Sequence, residues 1–224
     1  KACDAQAGDD CHINPEEIEK KDFAVLTKLF NVARFASFFE IPTVIDSEPE
    51  RLAAEDKWIL AEFSRTMNTV KTSWQELDIY SATQAMKNFG TGIFPSHWME
   101  MAKSRLYADD VSAIWTVHRI VRDFMSAFSP VCPFFTHHIT DTLYGTSAVD
   151  VRQFPAEPVA ELAVGSDENS RLCGLTKVII EFNSSTWKLK KDSGISLNMP
   201  ISGVEIPSDL QEFAEILCQM HKLE

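Results

Sequence analysis

The chain has 224 residues, 45% of them hydrophobic and 24% charged, enough to bury a core as one domain with an appendage or as two small domains. Its formal charge of −12 argues against wholesale nucleic-acid binding, because affinity for phosphates comes largely from clustered Lys and Arg. No apolar run reaches the roughly 18–20 residues of a membrane-spanning helix, no secretory signal opens the chain, and five unpaired-looking cysteines read as reduced cytoplasmic thiols.

Taken in order, residues 1–13 lack periodicity, and the opening at Lys1 without methionine is expected of a piece of a longer protein, with residues 1–14 as the remnant of an upstream domain. Asn14-Pro15-Glu16-Glu17 is a helix start, with Asn14 as cap and Glu17 completing a capping box. That helix is expected to run to about Phe39, apolar nearly all round and wedged between neighbours. A second spans about Glu55 to Leu77, where Ile59, Phe63, Met67, Val70, Trp74 and Leu77 form a core-facing stripe. A third is expected from Ser81, with Gln84 as capping partner, to about Tyr107, kinked at Pro95. A fourth covers about Asp110 to Phe128, and a short fifth ends at Tyr144-Gly145.

The character then changes. Val149-Asp150-Val151 reads as extended, residues 156–169 as a linker, and Ser170 to Lys191 as a long helix stopped at Gly194. Ile201 to Ile206 reads as a short strand, and Ser208 caps a last helix bearing Leu210, Phe213, Leu217 and Met220. The predicted fold is mainly α: an antiparallel helical bundle over residues 15–155 with a small α+β appendage over 170–224.

No glycine-rich phosphate loop, nucleophile elbow or HExxH motif occurs, and neither Cys11-His12 nor Cys132 near His137-His138 has zinc-site spacing. No catalytic residue and no metal is therefore assigned within the chain. Several segments, however, resemble one family in order and spacing. Lys28-Leu29-Phe30-Asn31-Val32-Ala33-Arg34-Phe35 resembles the "KLWNAARF" of valyl-tRNA synthetases, and Asp56-Lys57-Trp58-Ile59-Leu60 their "DRWIL". Lys103-Ser104-Arg105-Leu106-Tyr107 resembles "KPRLY", Ser129 to Thr136 resembles "APFMPFITEEIW", and Lys190 to Asn198 resembles the archaeal-type "KSERGMALN". Thr91, Pro95 and His97-Trp98 depart from the family's pattern.

The resemblance implies a class I anticodon-binding bundle that holds the anticodon stem-loop of tRNA(Val) in the cytoplasm, with no membrane and no DNA as partner. The catalytic domain, using ATP and Mg²⁺ to join valine to tRNA, would lie upstream in the same chain. Isoleucyl and leucyl enzymes share this bundle, and a structural helical scaffold without an RNA role is the other alternative. By the resemblance, Phe35 and Met99 would pack on anticodon bases, although both residues also fit a core. Asn31 and Arg34 would read base edges or phosphate, or Arg34 would make a bundle salt bridge. Lys103, Arg105, Lys188, Lys190 and Lys191 would meet the tRNA backbone, or simply solvate helix ends.

Overall fold

The computed structural model describes residues 5–6, 14–146, 154 and 159–224. Helix α1 (Pro15–Glu17) starts at Asn14, whose side chain accepts a hydrogen bond from the Glu16 amide at 3.0 Å. The chain widens into a π-helical stretch, Ile18–Asp22, and continues as α2 (Phe23–Ala36). The helix stops short of Phe39 because the last turn tightens: Phe38 N–H donates to Phe35 O and Phe39 N–H to Ala36 O, three residues back.

Helix α3 (Ala54–Gln75) buries Ile59, Phe63, Met67 and Val70 as the spacing predicts. Leu77 departs from the stripe, at 82% exposed with φ +60°, because the helix has already ended at Gln75. Helix α4 (Ile79–Asn88) is capped by Asp78, whose carboxylate accepts from Ser81 N–H at 3.0 Å. The expected Ser81–Gln84 capping box is thus displaced by an equally good capping residue three positions earlier.

Phe89–Trp98 then runs as a π-helical segment into α5 (Met99–Leu106). Pro95 lies inside this wider segment, so the helix accommodates it without breaking. Gly90 lets the segment sit close: a Cβ there would lie 2.6 Å from Phe124 Cζ and 2.9 Å from Leu29 Cδ2.

Helix α6 (Val111–Phe128), capped by Asp110 accepting from Ala113 N–H at 2.9 Å, is the buried centre of the bundle. It packs on α2, α3, α5 and on α7 (Pro133–Tyr144), which ends at left-handed Gly145 as predicted. Two of its buried polar side chains are paired with neighbours: Arg119 bonds Asp123 at 2.6 Å, and the His118 ring contacts Phe39 O and the Tyr144 hydroxyl.

Helix α8 (Asp167–Asp192) begins three residues before Ser170, capped by Ser166, and stops before left-handed Gly194. It packs against α3. Asn169 Nδ2 donates to Ala61 O at 3.0 Å, Trp58 Nε1 to Thr176 Oγ1 at 3.0 Å, and Thr176 Oγ1 to Glu62 at 2.8 Å. The strand expected over residues 201–206 is reduced to one parallel bridge between Ile201 and Leu223; among the described residues there is no longer β element. A 3₁₀ stretch, Ser208–Phe213, leads into α9 (Ala214–His221), and Leu210, Phe213 and Leu217 are buried as expected. The Val149–Val151 segment, expected to be extended, lies with Cys3 and Cys11 outside the described residues.

A polar chain ties this end to the bundle. Asn183 contacts the His97 ring at 3.1 Å and the His221 ring at 2.8 Å, and all three are buried. Burial lowers the pKa of both imidazoles; for His221, nearby Lys190 and His97 add to the effect and bring it to about 4.

Candidate nucleic-acid interface

The ends of α2 and α5 meet around Phe35. Its half-buried ring stands edge-on to Phe39 at 5.1 Å, Tyr107 at 6.3 Å and Phe38 at 6.4 Å, geometries that aromatic quadrupoles favour. Phe39 closes the inner side of the group. Phe38 and Tyr107, by contrast, are 63% and 67% exposed and each packs edge-on against Phe35, an apolar platform open to solvent. Asn31 and Arg34 are exposed on the preceding turn of α2. Arg34 makes no ion pair among the described residues, unlike Arg105, Arg119, Arg122 and Arg171. Among the described residues, the bundle salt bridge that Arg34 could have made is not formed.

Arg105 is a correction to the expected RNA contacts. Its guanidinium reaches Glu55 at 2.6 Å, Asp56 at 2.7 Å and Asp110 at 2.7 Å, leaving little of the side chain exposed. Asp56, fully buried, also accepts from Trp98 Nε1 at 3.0 Å and from Ser112 Oγ at 2.5 Å. Burial opposes the charge on Arg105, yet Asp56, Glu55 and Asp110 together hold it more firmly protonated than a free arginine. Glu55 is pushed up, by burial first and by the Asp56 charge second. The cluster pins the α5–α6 turn that carries Tyr107, so Arg105 supports the platform through structure.

Two further expectations are corrected. Met99 is buried in the core at the start of α5, eight residues and about 12 Å along the axis from Tyr107, so the structure does not bring it to Phe35. Lys190 is 0% exposed, and its ammonium donates to the carbonyls of Leu197 at 2.9 Å, Met199 at 2.7 Å and His221 at 2.6 Å. It fastens the 195–199 turn and the end of α9 to α8 and has no donor left for RNA. Its neighbours Lys188 and Lys191 are exposed, flanking an open groove with Trp187, Ile195, Ser196 and Leu197. Lys103 is half-exposed and bonded to Glu100 at 2.5 Å.

Phe38 and Tyr107 were not singled out from the sequence. Phe38 sits in an apolar run that reads as core, and only its place beyond the last turn of α2 exposes it. Tyr107 stands in the "KPRLY"-like segment, where motif position alone says nothing of its exposure. Among the described residues no group of three or more His, Cys, Asp or Glu could hold a metal ion, and no helix is long and apolar enough to cross a membrane.

Comparison with known proteins decides the family. The model of the anticodon-binding domain of tRNA ligases matches residues 56–206. The chain belongs to that family. Relatives are the valine–tRNA ligases of Aeropyrum pernix, 31% identical over 97% of this chain, and of Saccharolobus solfataricus, 31% identical over 89%. That of Pyrobaculum aerophilum is 30% identical over 99%. These alignments cover 27%, 23% and 27% of the relatives' own lengths, so the chain spans about a quarter of each. The family match begins in α3, whereas the alignment to the Pyrobaculum aerophilum enzyme covers nearly the whole chain, α2 with Arg34 and Phe35 included.

Proposed function

We propose that this chain is the anticodon-reading part of a valine–tRNA ligase, and that the Phe35–Phe38–Tyr107 platform receives an unpaired base of the tRNA(Val) anticodon loop. The observation that carries the reading is the platform itself: two largely exposed rings packed on a third, one residue from an arginine that makes no ion pair among the described residues. An unpaired base offers a π-face, and stacking on an aromatic side chain contributes about 1–3 kcal/mol per base. This contribution does not depend on net charge, which is how a chain of −12 can bind RNA at one place. Arg34 and Asn31 supply donors for a base edge or a nearby phosphate. Activation of valine with ATP and Mg²⁺ belongs to a catalytic domain elsewhere in the longer polypeptide.

Phe35→Ala tests the reading. Because the ring is half-buried, the variant is expected to lose about 2 kcal/mol of stability, less than the roughly 3–5 kcal/mol of a fully buried phenylalanine. The folded variant is also expected to bind tRNA(Val) about tenfold more weakly. Weakened binding that is wholly explained by the unfolded fraction would return Phe35 to the bundle interior.

A further inference from the structure

On the other flank of α2 lies a groove that the platform does not use. Phe30, Ala33, Arg34 and Ser37 form its α2 wall, at the spacing of one helix face, and His138, Ile139, Thr142 and Leu143 form its α7 wall. It encloses about 140 Å³. Ala33 and Ile139 are buried beneath it, whereas Phe30 stands 45% exposed at its edge.

We infer that this groove is a second base site, holding another unpaired base of the same anticodon loop between Phe30 and α7. The inference rests on the proposed tRNA reading. The groove is apolar at the bottom with few polar groups along it, the composition of a site that takes a flat ring by its face and orients it by its edge. Its volume is below that of sites for drug-sized ligands, as one base requires.

The polar groups are suited to a base edge. The Ser37 hydroxyl donates to Arg34 O at 2.7 Å, which keeps an acceptor lone pair. Thr142 offers a hydroxyl, His138 an imidazole and Arg34 its guanidinium. Arg34 also supplies the continuity: it lines the groove, and the next residue, Phe35, is the centre of the platform. A single-stranded loop crossing α2 at Arg34 would therefore place one base on each side, with the intervening phosphate near the guanidinium.

The test pairs Phe30 variants with tRNA(Val) anticodon stem-loops in which each loop base in turn is replaced by an abasic site. Phe30→Ala is expected to weaken binding of the intact stem-loop roughly tenfold, and Phe30→Tyr, which keeps a ring, to restore it. One abasic position should cost as much as Phe30→Ala and add nothing to it, while a different position should behave this way with Phe35→Ala. A Phe30→Ala loss that adds fully to every abasic loss, or no loss at all, overturns the groove site even if the Phe35 pairing holds. Absence of stem-loop binding by the unaltered protein would remove the tRNA reading and this site together. Thermal unfolding of each variant shows whether a loss arises from folding.

Discussion

Replacing Arg105 by Met removes the cation that three carboxylates share. Glu55 loses its ion-pair partner at 2.6 Å, and fully buried Asp56 keeps only Trp98 and Ser112 as donors. Breaking a buried ion pair by deleting one side costs about 3–5 kcal/mol, since the charge left behind has no partner. Two donors remain on Asp56, so a loss of about 3 kcal/mol is expected in urea unfolding at neutral pH. Glu55 already has a raised pKa, from burial and then from Asp56, and Arg105 is what opposes that rise. Without Arg105 the carboxyl takes up a proton more readily in the folded than in the unfolded chain. The deficit of the variant should therefore shrink as the pH falls toward 5. For the folded fraction, the salt dependence of tRNA binding should be unchanged. A stability loss under about 1 kcal/mol, together with a salt slope shallower by about 0.7–0.9, would refute the clamp and make Arg105 a phosphate contact.

Other expectations follow from the same geometry. Replacing Lys188 and Lys191 with Gln should weaken cognate and non-cognate tRNA alike and flatten the salt slope by up to about 0.7–0.9 per lysine. An unchanged slope would make both merely solvated. Lys190→Met should leave that slope alone and instead destabilise the fold, because three carbonyls lose their common donor. His221 titrates near 4 when folded and near 6.5 when unfolded, so stability should fall as the pH drops through that interval. His221→Gln should flatten the pH dependence between 6.5 and 4, and an undiminished dependence would count against the assignment.

Much of the bundle was legible because its signals are local. The α3 stripe, the cap at Asn14, and the left-handed stops at Gly145 and Gly194 each depend on residues within a turn or two. The Ser81 cap was misplaced because Asp78 competes for the same role, a contest decided by the turn that follows α3. The interface was less legible because exposure is a tertiary property. Glu55 and Asp56 lie about fifty residues from Arg105 in sequence, so nothing near Lys103-Ser104-Arg105 showed which cation was enclosed. Lys188, Lys190 and Lys191 likewise look alike on one helix end. Only the return of the 195–199 turn and of α9 draws Lys190 inside and leaves the others out.

The central claim is that this acidic helical chain reads the anticodon of tRNA(Val). The most direct measurement is a titration of the chain with tRNA(Val), tRNA(Ile) and tRNA(Leu) at one fixed salt concentration, repeated at a higher one. The account predicts that tRNA(Val) binds tightest by at least about tenfold, or about 1.4 kcal/mol, and that the preference survives added salt because it rests on base contacts. Equal affinity for all three, falling in parallel as salt is added, would contradict it.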